Sequence, residues 1–120
     1  MSRILIAEDD ELILKTIEHR LNKEGYELIL TRNGQEAIDK LMTFEIDLVI
    51  TDIMMPFASG IEILSAIGAL KKRIPVIVLS SMGQEEVVME AFELGAADFM
   101  VKPFSPNELL IRIQRLGVKR

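Results

Sequence analysis

Four short stretches of the chain carry side chains that could do chemistry together. Glu8, Asp9 and Asp10 form an acidic triplet near the start, and Asp52 closes an apolar run. Ser80 and Ser81 close another, and Lys102 stands before Pro103. Gathered carboxylates repel, and at ~4 Å and an effective dielectric near 20 one like-charge pair costs about 4 kcal/mol before screening. Proton uptake or a bound cation relieves that cost. Mg2+ is the natural cation, being hard, oxygen-seeking and usually held by one or two carboxylates with waters and phosphate oxygens. Lys102 adds a fixed positive charge and Ser80 a hydroxyl donor. Carboxylate, divalent cation, ammonium and hydroxyl make a site for a phosphoryl group. A carboxylate in that site can itself be the nucleophile and form an acyl phosphate.

Singly, each residue has a plainer use. Asp52 could cap a turn, Asp10 reads as a helix N-cap, Ser80 as a satisfied hydroxyl and Lys102 as a solvated lysine. Composition narrows the rest. The chain has no Cys, which removes disulfides, thiolate metal sites and a thiol nucleophile together. Its single His, His19, falls on the polar side of a helical pattern and reads as surface. The net charge of −5 argues against this domain binding nucleic acid. The longest apolar run, near Ile74–Leu79, is far short of the ~20 residues that span a bilayer. Met1-Ser2-Arg3 leads straight into a strand-like run, so a soluble cytoplasmic protein is expected.

The elements that must position these residues alternate from end to end, without repeats or linkers. Strand-like runs cover Arg3–Ala7, Tyr26–Thr31, Asp47–Asp52, Pro75–Ser80 and Asp98–Val101. Helical stripes lie between and after them. They are Ile13, Ile17 and Leu21; Ala37, Ile38, Leu41 and Met42; Ile63, Leu64, Ile67 and Leu70; Val87, Val88, Ala91 and Phe92; and Leu109, Leu110, Ile113 and Leu116. Gly25 and Gly95 read as stops, and Ser59-x-x-Glu62 and Ser105-x-x-Glu108 as capping boxes, with Pro106 at the first helical position. Asn33-x-x-Glu36 is a looser relative. Strands alternating with helices require parallel pairing through right-handed crossovers. The expectation is an α/β, flavodoxin-like (βα)5 doubly wound five-stranded parallel sheet in the order 2-1-3-4-5, as a single domain over residues 1–120. Ligands in such folds bind beyond the carboxyl ends of the strands, where Glu8, Asp9, Asp52, Ser80 and Lys102 all fall.

Four motifs in this order resemble the receiver domain of two-component response regulators over essentially the whole length. They are Ile4–Asp10, Asp47–Pro56, Pro75–Ser81 and Gly95–Phe104. The resemblance implies that Asp52 accepts a phosphoryl group from a histidine kinase or a histidine phosphotransfer protein. Glu8 and Asp9 would hold Mg2+, with Asp52 and the Met54 backbone carbonyl as further ligands. Ser80 would hydrogen-bond the phosphoryl group and Lys102 would pair with it, across a cis Lys102–Pro103 bond. Phe99 takes the switch aromatic position and turns inward as the Ser80 hydroxyl moves. The face of helix 4, strand 5 and helix 5 would then control an output partner, a phosphorylation-dependent homodimer through that face being a further expectation. Such a domain catalyses only its own phosphorylation and slow hydrolysis, so it is not a conventional enzyme.

Departures from the family pattern matter too. Phe99 replaces the more familiar Tyr, Ser59 stands where Asp is frequent, and Met54 and Met82 flank the site at positions that tune phosphoryl lifetime. Two apolar side chains there predict slow self-dephosphorylation. Asp98 with Arg112 and Arg115 resembles the subfamily whose receiver precedes a DNA-binding winged helix. Val87 and Val88 stand where that subfamily places charged dimer contacts. A Mg2+-dependent phosphohydrolase would want Asp where Met54 stands. A flavin or nucleotide binder would want a Gly- or Ser/Thr-rich loop after strand 1.

Overall fold

The computed structural model describes residues 1–120. Ten elements alternate: β1 (Arg3–Ala7), α1 (Glu11–Lys23), β2 (Glu27–Thr31), α2 (Gly34–Thr43), β3 (Leu48–Asp52), α3 (Gly60–Ala69), β4 (Val76–Ser80), α4 (Glu85–Glu93), β5 (Asp98–Val101) and α5 (Pro106–Arg115). The strands form one parallel sheet in the order β2-β1-β3-β4-β5, as the alternation predicts.

The sheet has two covered faces. Ile4 and Ile6 of β1 point to one side, where Leu14, Ile17 and Leu21 of α1 and Leu109, Leu110 and Ile113 of α5 pack on them. Leu5 and Ala7 point to the other side, against Ala37 and Leu41 of α2, Ile63, Leu64 and Ile67 of α3, and Val88 and Ala91 of α4. Residues of a strand alternate between faces, so burial on both sides explains the unbroken apolar runs of β3 and β4, every residue of which is buried. β2 and β5 are the edges and are only partly covered.

Local signals set the element ends. The Asp10 carboxylate accepts from the N–H groups of Leu12 and Ile13 and caps α1. Asn33 caps α2 by accepting from the Glu36 N–H, while Glu36 reaches back to the N–H of Arg32, one residue before the expected partner. The Ser59 N–H donates to Glu62 as a capping box requires. Ser105 makes no side-chain cap, and Pro106 alone marks the start of α5.

Several expectations on packing are corrected. Met42, Leu70 and Phe92 lie at the edges of their stripes and are exposed, while Leu14 is fully buried in α1. Val88, in contrast, is in the core as its place in the stripe predicts. Of the seven methionines only Met100 is buried. The Lys72 ammonium, just beyond α3, donates to the Leu41 carbonyl at 2.7 Å. It thereby satisfies one of the carbonyls left open in the last turn of α2.

Candidate functional site

The ends of β1, β3 and β5 bring the acidic triplet, Asp52 and Lys102 into one cleft. β1 and β3 are adjacent, with Ala7 opposite Thr51, so Glu8 and Asp52 leave the sheet side by side. Lys102 starts from the far edge of the sheet, beyond β4, and its long side chain crosses that distance. Its ammonium lies 2.7 Å from Asp52 Oδ2 and 2.8 Å from Glu8 Oε1. An aligned hydrogen bond joins it to Asp52 only. Glu8 is fully buried, and its Oε2 accepts from the Asp10 N–H at 3.1 Å. Its Oε1 has the ammonium as a charged neighbour but no hydrogen-bond partner.

The electrostatics follow from that placement. Burial pushes the Glu8 carboxyl up to about 7, against the pull of Lys102 and the Asp10 amide, and the Asp52 charge adds to the push. Lys102 is raised: burial opposes its charge, but the two carboxylates outweigh it. One ammonium thus balances two inward carboxylates, and the exposed Asp9 adds a third. Oxygens of Glu8, Asp9 and Asp52 lie within 4.8 Å of one another. All-oxygen donors, excess negative charge and one orphaned buried oxygen fit a hard divalent cation.

A cluster of carboxylates around a lysine at the carboxyl end of a 2-1-3-4-5 sheet is a family-level arrangement, and comparison identifies the family. The response regulator receiver domain model matches residues 4–114. The chain belongs to the response regulator receiver domain family. It is 43% identical over 113 residues to response regulator RR06 of Streptococcus pneumoniae, covering 94% of this chain and 52% of that protein. It is 34% identical over 114 residues to the alkaline phosphatase synthesis transcriptional regulatory protein PhoP of Bacillus subtilis, covering 95% of this chain and 48% of that protein. The chain therefore spans about half the length of the curated relatives it matches. The solved structure of chemotaxis response regulator CheY4 of Vibrio cholerae superposes with a TM-score of 0.88 at 31% identity, over 97% of this chain and 98% of that one.

As a receiver domain the chain is a phosphoacceptor signalling module of two-component systems. Ser80 is buried at the end of β4, and its carbonyl accepts from the Lys102 N–H at 2.7 Å. Ser80 makes no side-chain hydrogen bond to the acidic cluster, whose ammonium bonds Asp52, and it lines a cavity under α4. Phe99 is partly exposed on β5, packed edge-to-face on Phe92 with ring centres 5.8 Å apart. The Met54 N–H points to Asp52 Oδ1 at 3.4 Å, and its carbonyl accepts no backbone hydrogen bond. Lys102–Pro103 is cis. Arg112 pairs with Asp98 at 2.8 Å.

Two supports of this receiver site escape a reading of the sequence for chemistry. A Cβ on Gly60 would stand 3.0 Å from the Asp52 carbonyl, a tight contact that a larger residue could make only if the strand end or the start of α3 shifted by a few tenths of an ångström. Gln84 accepts from the Ser81 N–H at 2.7 Å and pins the loop that follows Ser80. Glycine at a helix start and Gln four residues beyond a strand were the available signals, and both are common elsewhere.

Proposed function

We propose that residues 1–120 form one receiver unit in which Asp52 takes a phosphoryl group from the phosphohistidine of a histidine kinase or histidine phosphotransfer protein. A carboxylate oxygen of Asp52 attacks phosphorus, the P–N bond breaks and its electron pair stays on the imidazole. The observation that carries this reading is the single ammonium of Lys102 held between Asp52 and Glu8. Once Asp52 is converted to the acyl phosphate, that ammonium is free to pair with the new phosphoryl oxygens. Glu8, Asp9, Asp52 and the Met54 carbonyl would hold Mg2+, which supplies neutralising charge for the carboxylates and the phosphoryl oxygens.

Phosphorylation adds about −1.5 to −2 charges and strong acceptors. The Ser80 hydroxyl and Lys102 turn toward them, and Phe99 moves into the cavity beside Ser80. The α4–β5–α5 face changes shape as a shift between two populations. This makes the domain a switch for an output domain or protein, with no external product. A cytoplasmic location belongs to the same proposal, and no helix is long and apolar enough to cross a membrane. With its net charge of −5, the domain signals without binding nucleic acid itself.

Intact mass after incubation with acetyl phosphate and Mg2+ tests the assignment. Wild type gains one phosphoryl group and Asp52→Asn gains none. Equal gain in both would move the acceptor elsewhere.

A further inference from the structure

Asn33 and Gly34 form the only Asn–Gly step of the chain. A carboxamide ahead of glycine can close on its own backbone, because no Cβ shields the next amide nitrogen. The other asparagines, Asn22 and Asn107, precede Lys23 and Glu108, lie within α1 and α5, and lack that opening.

The fold both retains this reactive pair and restrains it. Gly34 is buried, and a Cβ there would fall 2.0 Å from the Ala58 carbonyl, so packing demands glycine beside Asn33. As the first residue of α2, Gly34 has an N–H with no carbonyl to meet inside the helix. Asn33 is the N-cap, and its Oδ1 accepts from the Glu36 N–H at 2.9 Å. That bond draws electron density from the carboxamide carbon, and it also ties the side chain down. Asn33 is only half-buried, so water reaches it.

We propose that Asn33 is a self-modification site, which closes on Gly34 and loses ammonia each time the first turn of α2 opens. The Gly34 nitrogen gives up its proton and bonds to Asn33 Cγ, the Cγ–Nδ2 bond breaks, and Nδ2 leaves as ammonia. Water then opens the five-membered imide at either carbonyl and leaves aspartate or isoaspartate at position 33. No oxidant or reductant takes part. The two products differ in consequence. Aspartate keeps the cap and adds a negative charge that suits a helix N-terminus. Isoaspartate runs the main chain through the former side chain and adds a methylene before Gly34. Gly34 then cannot keep its place against Ala58, and the loop between β3 and α3 is displaced. That loop follows Asp52, so phosphoryl uptake falls in isoaspartate chains. This last consequence rests on the phosphoacceptor reading of Asp52, and the modification itself does not.

The full 120-residue chain is aged in mildly alkaline buffer. Peptide mapping by mass spectrometry follows the mass gain at each asparagine. An isoaspartyl methyltransferase with labelled S-adenosylmethionine counts isoaspartate. Gain at Asn33 should far outrun gain at Asn22 and Asn107, and urea sufficient to unfold the chain should speed it at least about fivefold, the equilibrium worth of one N-cap. Asn33→Ser, which keeps a cap oxygen and has no carboxamide, should fold with wild-type amide spectra and form no isoaspartate. Gain at Asn33 no faster than at the other two, or undiminished isoaspartate in Asn33→Ser, would overturn the site. A rate indifferent to urea would overturn the restraint by the cap. In aged chains the amides of Ala58, Ser59 and the first turn of α2 should move, and unmoved amides in isoaspartate chains would overturn the coupling to the loop. Acetyl phosphate with Mg2+ closes the test. If the fresh chain takes up no phosphoryl group, the reading of Asp52 fails while the modification still stands or falls on the map. If fresh and isoaspartate chains take it up equally, the consequence for Asp52 alone is overturned.

Discussion

Glu8 is the side chain on which the electrostatics of the cleft turn. Its folded-state pKa, about 7, lies above the ordinary 4.5, so the folded chain binds a proton that the unfolded chain releases. That stabilisation is fully present below about pH 4.5 and is lost as pH rises through about 7. In Mg2+-free buffer Glu8→Gln should therefore be more stable than wild type at pH 8, by on the order of 2–3 kcal/mol, and the gap should close by pH 5. Urea melts across that range read it, and a variant no more stable than wild type at pH 8 would refute it. Millimolar Mg2+ should narrow the pH 8 gap by relieving the wild-type carboxylates alone. Met54 and Met82, both largely solvent-facing, give a second residue-scale expectation. Polar replacement at both should shorten the phosphoryl half-life by admitting the attacking water, measured by loss of radiolabelled phosphate; an unchanged or longer half-life would reject it. At this scale the chemistry was readable beforehand, because carboxylates and an ammonium at strand ends have few joint uses. The orphaned Oε1 of Glu8 was not, since hydrogen-bond directions depend on the packed side chains.

At the scale of elements, the loop between β3 and α3 is held by a contact that glycine alone permits. A Cβ on Gly34, at the start of α2, would fall 2.0 Å from the Ala58 carbonyl. Gly34→Ala should cost about 1–3 kcal/mol through overpacking and disturb the loop after Asp52. Gly68 is the contrast: it lies in α3, and a Cβ there would meet nothing within 4 Å. Gly68→Ala should stabilise by about 0.5–1 kcal/mol from helix propensity alone. Thermal melts of both decide the pair, and the same sign for both would contradict it. The helix stripes were legible from spacing, whereas their margins were not. Met42, Leu70 and Phe92 sit where a slight helix rotation turns a core position outward, and only the neighbouring elements fix that rotation.

Across the whole molecule, the two chain ends are tied together beside β2. Ser2 N–H donates to the Lys119 carbonyl, and the buried Tyr26 hydroxyl donates to the Val118 carbonyl at 2.9 Å. Burial raises the Tyr26 pKa above 10, with the Glu24 charge adding to it. A raised pKa gives stability that is whole below about pH 10 and lost as pH climbs through the folded value. Tyr26→Phe should be less stable than wild type by about 1 kcal/mol at pH 7, and that difference should shrink in alkaline melts. A gap that stays constant up to about pH 11, beyond the ordinary tyrosine range, would reject the assignment.

Element order and sheet topology followed from alternation and from apolar runs, because parallel crossovers leave few ways to cover both faces of five strands. Residue types likewise named the candidates for the cleft. Tertiary structure decided what distance and direction decide: that Lys102 reaches from an edge strand to both Asp52 and Glu8, that Ser80 lines a cavity under α4, and that Phe99 rests outward on Phe92. Those facts arise from side chains of distant segments competing for the same space, and one-dimensional spacing carries no information on which of them wins.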